Sequence, residues 1–256
     1  MALTNLLKGS LVAAGLVICA APAQAAGFSQ FTFSTAATGT ANPKGDIMLQ
    51  SVTKSNGTHL NSFNLVTGAL IQANTATTGT QQGPGSTDHG DDASGTAVEL
   101  PNEAQIVASL GNLNLNNIID TEDSRGKSIF DVVFDKPVNS FFFWERGMNS
   151  DLHVEALDSL GNVIAGTAFE ITRDLWQSAG YKIDTTEIGG AQNVGSYGLK
   201  FGQNVAGLRL SSFGAADNGP DYKVVAAKTP EASSMAALGL IAGSLVLAKR
   251  RQAAKA

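Results

Sequence analysis

Cysteine is almost absent from this chain, whose single thiol belongs to Cys19. Cys19 lies in an apolar stretch near the N-terminus, so the rest of the chain can form neither a disulfide framework nor a cysteine-based metal site. Charge is also sparse: charged residues make up 15% of the sequence and the formal net charge is −5. Because phosphate recognition needs clustered lysine and arginine, this balance argues against nucleic acid and we expect no such partner.

Motifs of catalysis and metal binding are missing as well. The three histidines, His59, His89 and His153, are far apart in the sequence and match no zinc-ligand spacing. No G-x-S-x-G turn is present to expose a serine nucleophile, and residues 126–128 lack the upstream glycine of a phosphate-binding loop. We therefore expect a protein that is not an enzyme and that requires no cofactor.

Glycine, in contrast, is abundant, with 28 residues. Many short β-prone runs are separated by glycine, asparagine and aspartate, which supply positive φ and close tight turns. This pattern predicts an all-β fold, an antiparallel β-sandwich with a jelly-roll-like topology. The predicted strands lie at residues 28–33, 46–53, 128–134, 138–144, 152–156, 181–185, 196–201, 205–211 and 222–226.

Two segments and one proline interrupt this pattern of strands and turns. Residues 74–95 begin with a low-complexity stretch rich in threonine and glycine and predict a long flexible loop. Pro137 is expected to end one strand before the most hydrophobic run of the chain begins. Residues 101–110 suit either a strand or a short helix.

The N-terminal 25 residues have the parts of a secretory signal peptide. A positively charged start precedes the apolar run at residues 11–20, and Ala23 and Ala25 give the small-x-small pattern that signal peptidase requires. We expect cleavage before Ala26, which leaves residues 26–228 as an exported domain.

The C-terminal residues 229–256 contain a second apolar segment, with a Pro-Glu pair before it and a group of cations after it. Pro230 and Glu231 precede a run of apolar and small residues at 235–248, which predicts a short membrane helix. Three consecutive cations follow this run: Lys249, Arg250 and Arg251. By the positive-inside rule these cations stay in the cytoplasm, so the body of the chain lies on the other side of the membrane.

This tail resembles the PEP-CTERM sorting signal of Gram-negative bacteria, including cyanobacteria, which a membrane-embedded cysteine protease, exosortase, processes. The resemblance implies that Pro230 and Glu231 fill the first two motif positions and that the three cations form the stop cluster. Ala232 stands where the family has a second proline. Residues 143–158 and 161–164 also look like cyanobacterial exosortase-dependent surface proteins, a family that implies a location and a fold but no activity.

Two groups of residues are candidates for ligand binding. The acidic segment at residues 88–92, with Glu122 and Asp123, offers oxygen ligands that suit calcium. Its spacing matches no EF-hand, and a solvated acidic loop is the alternative. Trp176 and Tyr181 offer an aromatic platform for a sugar, with core packing as the alternative.

These features favour an exported structural or interaction protein of the cell surface or extracellular matrix. Its expected partners are signal peptidase, an exosortase-like protease, and the cytoplasmic membrane, which the C-terminal helix enters at least transiently. The alternative function is that of a carbohydrate-binding β-sandwich module, stabilised by calcium, whose ligand is an exopolysaccharide.

Overall fold

The computed structural model describes residues 27–75, 84–123 and 126–228. The strands in these ranges are β1 (Phe28–Phe31), β2 (Phe33–Thr38), β3 (Met48–Lys54), β4 (His59–Leu60), β5 (Phe63–Asn64), β6 (Val66–Ala73), β7 (Gly85–His89), β8 (Asn117–Thr121), β9 (Ser128–Arg146), β10 (Leu152–Leu157), β11 (Phe169–Ile171), β12 (Gln177–Ile183), β13 (Gln192–Ser212) and β14 (Asp221–Ala227). The helix α1 spans Glu103–Leu110, and a 3₁₀ turn spans Gly214–Ala216.

Both chain ends lie outside the described residues, and with them the predicted signal peptide, its cleavage site and the sorting tail with its membrane helix. Among the residues that are described, no helix has the length and apolar character needed to cross a bilayer.

Two long strands, β9 and β13, organise the main sheet. They pair antiparallel over most of their length, from Arg146 opposite Val194 to Ser128 opposite Ser212. The sheet order is β11-β10-β13-β9-β14-β8-β7, with β1 and β12 also paired to β13, β6 to β9 and β5 to β14. A separate sheet has the order β2-β3-β4. Every named strand pair is antiparallel, which confirms the predicted all-β, antiparallel class and is consistent with a sandwich.

The main sheet separates two apolar clusters. Phe141 and Phe143 of β9 belong to the first cluster, together with side chains of β10, β13, β14 and α1. Phe142 and Trp144 belong to the second cluster, which the small sheet covers with side chains of β2 and β3. Because successive residues of a strand point to opposite faces, this one strand contributes to both clusters.

The predicted strands at 128–134 and 138–144 are joined in a single strand, β9, so the break expected at Pro137 does not occur. The ladder to β13 is interrupted between Val133 and Val138, and Pro137 lies in that gap with its ring exposed. Proline lacks a backbone N–H, and a strand therefore tolerates it where no ladder bond is needed. Two later predicted strands likewise merge into β13.

Part of the loop expected at residues 74–95 is a buried strand, β7. This strand pairs with β8, and its Thr87 also bridges to Val98. Three of its polar side chains are buried: Ser86, Thr87 and Asp88. A strand of polar residues lacks the apolar alternation by which strands are recognised in a sequence, which is why the pattern suggested a loop.

Candidate functional site

Four neighbouring strands place polar side chains in a single row, which we call the cross-strand row. Ser86 of β7 lies opposite Asp120 of β8, and Asp221 of β14 lies opposite Arg146 of β9. Strands β8 and β14 are themselves neighbours, paired at the adjacent position. Residues opposite one another in paired strands point to the same face, so these four side chains share one face of the sheet.

Arg146 supplies the positive charge of this row and is buried. Its Nη1 lies 3.3 Å from Oδ2 of Asp221, and its Nη2 donates to the carbonyl oxygen of Ile188 at 2.8 Å. The N–H of Thr121 donates to the other carboxylate oxygen of Asp221 at 3.2 Å. Burial raises the pKa of Asp221 to about 7, while Arg146 acts in the opposite direction. Asp221 therefore has a compensating cation at hand.

Asp88, Asp120 and Glu187 form a second feature, which we call the carboxylate cluster. One carboxylate oxygen of each lies within 4.8 Å of those of the other two. Asp88 is two residues after Ser86 on β7 and thus on the same face, whereas Glu187 comes from the loop that follows β12. The N–H of Glu187 donates to Oδ2 of Asp88 at 3.2 Å, and the Ser86 hydroxyl donates to Oε2 of Glu187 at 3.0 Å.

The charge of Asp120 is not compensated in the same way. The residue is 5% exposed, and its Oδ2 has no hydrogen-bond partner. No ion pair to Asp120 is formed within the part of the chain that the structure describes. Burial, then the charges of Asp221 and Glu187, raise the pKa of Asp120 well above its usual value. Either a proton or a bound cation would offset the energetic cost of burying such a carboxylate.

The donor set of the carboxylate cluster consists of oxygen atoms, which hard divalent cations prefer. Burial raises the pKa of Glu187, and neighbouring carboxylates, Glu99 first among them, raise it further. The one imidazole nearby is that of His89, whose Nδ1 lies 2.7 Å from the carbonyl oxygen of Gly90. The chemistry that this arrangement supports is cation coordination.

The acidic segment at 88–92 is divided by the fold. Asp88 enters the carboxylate cluster, whereas Asp91 pairs with Lys44 at 2.5 Å and Asp92 accepts a hydrogen bond from Asn42. Asp123 lines a small polar cavity that Arg146 and Asp221 also line. Of the predicted calcium ligands, the structure therefore places Asp88 in a cluster of carboxylates.

Trp176 and Tyr181 do not share a surface. Trp176 is 4% exposed, packs in the first cluster and donates its indole N–H to the carbonyl oxygen of Ser150 at 2.8 Å. Tyr181 is 8% exposed and packs in the second cluster. Both rings thus follow the core-packing alternative, and neither offers an open face to a sugar.

A groove of about 400 Å³ lies toward the opposite edge of the main sheet, where β10 pairs with β11 and β13. His153 lines this groove and lies opposite Glu170 of β11 and Ser211 of β13. The exposed ring of Phe213 meets the His153 imidazole edge-on, with centroids 4.9 Å apart. An exposed aromatic ring beside polar side chains is an arrangement that can bind a sugar.

Sequence reasoning missed Asp120 and Glu187. Asp120 follows two isoleucines in β8, and alternation from Ile118 would have placed it on a buried face. Glu187 lies in a loop without periodicity, so no local signal marks it. Their meeting with Asp88 depends on strand pairing across distant parts of the chain.

Comparisons with known protein families, with curated proteins and with solved structures give no match for this chain.

Proposed function

We propose that this chain is an exported, non-enzymatic structural or interaction protein of the cell surface or extracellular matrix, sorted through a PEP-CTERM/exosortase-like signal. The observation that carries the proposal is the order of segments: the signal-like residues 1–25, an all-β body, and the apolar run 235–248. The motif residues Pro230 and Glu231 precede that run, and the cluster at 249–251 follows it.

Each segment has a physical task in this proposal. Signal peptidase cleaves between Ala25 and Ala26 after export. The C-terminal helix then holds the domain in the cytoplasmic membrane, at least transiently, because the cations at 249–251 resist transfer across the bilayer. An exosortase-like protease acts near Pro230, as in the cyanobacterial surface proteins that the chain resembles. The jelly-roll-like topology of the domain is part of the same proposal.

The composition of the body is compatible with a location outside the cytoplasm. After Cys19 the chain contains no cysteine, so an oxidising compartment brings neither disulfide exchange nor thiol oxidation to the exported domain. The described residues are held instead by long antiparallel ladders and two apolar clusters.

Mass spectrometry of both termini of the protein tests the proposal. The protein is produced in a Gram-negative host with exosortase and in a matched strain without it. We expect an N-terminus at Ala26 in both strains and a C-terminus shortened near Pro230 only where exosortase is present. Replacing the three cations at 249–251 with glutamine should impair this processing, whereas Lys255→Gln serves as the control. Recovery of the intact chain from the cytosol would refute the proposal.

A second candidate function is carbohydrate binding, and the groove at His153 favours it. Phe213 is 45% exposed, and Glu155, Glu170 and Ser211 line the same groove, so an aromatic face and hydrogen-bonding groups are available together. Exopolysaccharide is the expected ligand class, and calcium is the expected stabiliser.

Retention on immobilised exopolysaccharide tests this candidate. Phe213→Ala should abolish retention because it removes the exposed ring. Leu160→Ala, at an apolar residue that is 85% exposed but lies outside the groove, is the control and should be retained like the wild type. Equal retention of the two variants would rule the groove out.

A further inference from the structure

We propose that the carboxylate cluster of Asp88, Asp120 and Glu187 binds one calcium ion, which fastens the loop after β12 to the strand pair β7–β8. The three carboxylates come from three separate segments of the chain, and their oxygens meet within 4.8 Å. A single ion at this point would link the segments, as structural calcium sites do.

The strongest sign of a ligand is the unpartnered oxygen of Asp120. This side chain is 95% buried, since only 5% of the residue is exposed, and no N–H or O–H group of the described residues donates to its Oδ2. The carboxyl of Asp221 is its hydrogen-bonding neighbour, and two carboxyls can bond to each other only through a shared proton. An unsatisfied buried carboxylate oxygen is costly, so native structures pair such groups or give them an ion. The carboxylate of Asp120 belongs to the group whose oxygens converge with those of Asp88 and Glu187.

The other two carboxylates are oriented by bonds that leave room for an ion. Oδ1 of Asp88 accepts the N–H of His89 at 2.7 Å, and its Oδ2 accepts the N–H of Glu187 at 3.2 Å. Oε2 of Glu187 accepts the Ser86 hydroxyl at 3.0 Å. An ionised carboxylate has about four lone-pair sites, so these bonds do not exhaust its capacity. Such hydrogen bonds hold metal ligands in place.

Neither Arg146 nor Lys44 forms an ion pair with Asp120. Within the described ranges, Nη1 of Arg146 donates to Asp221, Nη2 donates to two carbonyl oxygens of the loop, and Nε has no partner. Lys44 pairs with Asp91 instead. A proton shared between Asp120 and Asp221 is the competing way to satisfy the same oxygen, and the experiment below distinguishes it from an ion.

Calcium fits this donor set better than magnesium or zinc. Calcium accepts oxygen ligands at varied distances and angles and completes its shell with water. Magnesium demands a near-ideal octahedron and gives up its water reluctantly. Zinc prefers nitrogen and sulfur ligands, which the cluster does not contain.

The loop that follows β12 is already attached to the main sheet at two points, on either side of Glu187. Thr186 donates to the carbonyl oxygen of His89 through its N–H at 2.9 Å and through its hydroxyl at 3.0 Å. Two carbonyl oxygens farther along the loop accept from Arg146. An ion at Glu187, between these two anchor points, would hold the loop at its middle as well.

The test uses the full chain in mild detergent, stripped of divalent ions with a chelator. Isothermal titration with calcium chloride should show one site, with an affinity in the range of about 0.1–1 mM that is typical of extracellular modules, or tighter. The melting temperature should rise with calcium and rise much less with the same concentration of magnesium.

Glu187→Gln and Asp120→Asn identify the site. Glu187 is exposed, so its amide variant should fold, keep the bond from Ser86 and weaken calcium binding by at least about tenfold. Asp120→Asn should also abolish the calcium-dependent rise in melting temperature. The matched control is Glu99→Gln, which removes a carboxylate that acts on Glu187 through its charge but is not part of the cluster. We expect this control to bind calcium nearly as the wild type does.

Three results would overturn the inference: no heat of calcium binding by the wild type, equal effects of calcium and magnesium, or binding that Glu187→Gln leaves unchanged. If the wild type shows no heat of calcium binding and Asp120→Asn has a higher melting temperature than the wild type in chelator, a proton shared with Asp221 would account for the buried oxygen of Asp120. The carboxylate cluster lies within the described residues, so the processing of the chain termini can match or contradict the proposed function without changing the result of this test.

Discussion

At the scale of single residues, Glu145 is a buried carboxylate that lies outside the carboxylate cluster. It is buried, its Oε2 accepts the N–H of Met148 at 2.6 Å, and its Oε1 has no partner. Burial, followed by the charge of Asp221, raises its pKa well above the usual value. The unfolded chain therefore loses this proton at a lower pH than the folded chain does, and the contribution of Glu145 to stability falls as the pH rises above the usual glutamate value.

Glu145→Gln should remove this dependence, because an amide oxygen can still accept from Met148 but carries no charge. We expect the variant to be more stable than the wild type at mildly alkaline pH and to converge with it toward acidic pH. Thermal unfolding across a pH series measures the difference. Glu170→Gln, at an exposed residue, should follow the wild type throughout, and a constant offset for Glu145→Gln would contradict the explanation.

Lys223 is a further buried ionisable residue, on β14. Its side chain is fully buried, and Nζ donates to the carbonyl oxygen of Ser109 at 2.5 Å and to Oδ1 of Asn112 at 3.2 Å, at the C-terminal end of α1. Burial lowers the pKa of Lys223 well below its usual value. The amino group satisfies a helix-end carbonyl, but the desolvation of its charged form opposes that gain.

We expect Lys223→Met to change the free energy of unfolding by less than about 1 kcal/mol, because the volume is kept and the cost of desolvation disappears. Lys223→Ala should cost about 2–5 kcal/mol, since it leaves a cavity. Urea denaturation of the two variants at neutral pH compares them. A methionine variant as unstable as the alanine variant would mean that the hydrogen bonds outweigh the packing.

At the scale of single elements, α1 depends on its first turn. The side chain of Asn102 accepts the N–H of Gln105 at 3.0 Å, and the Gln105 side chain accepts the N–H of Asn102 at 2.9 Å, which forms a capping box. Asn102→Ala should therefore cost about 1 kcal/mol of stability in urea denaturation, whereas Asn102→Gly should cost only a few tenths. Equal losses would show that the cap contributes little.

How far the sequence predicts these elements depends on where their side chains point. Strands with one apolar face, such as β10 with its alternating Leu152, Val154 and Ala156, were predicted nearly to their ends. The strand β7 was not, because the side chains that it buries are polar. The candidate site was foreseen only at Asp88, since Asp120 and Glu187 reach it through pairings that no local pattern records.

At the scale of the whole molecule, the two apolar clusters share the strands β9, β13 and β14, so they cannot unfold separately without breaking the main sheet. The two tryptophans of the chain report on one cluster each: Trp176 on the first and Trp144 on the second. We expect Trp144→Phe and Trp176→Phe, each with one remaining indole, to show fluorescence transitions in urea that coincide with loss of circular dichroism.

Comparing both signals within one variant keeps this test valid even though each substitution lowers stability. Trp144 donates its N–H to the hydroxyl of Thr35 at 2.9 Å and Trp176 donates to Ser150, so each phenylalanine variant loses a hydrogen bond worth about 1 kcal/mol. That loss shifts fluorescence and circular dichroism together if the sheet unfolds as one unit. A fluorescence midpoint apart from the circular dichroism midpoint in either variant would mean that one cluster opens while the sheet between them persists, and the shared strands would then not couple the two faces.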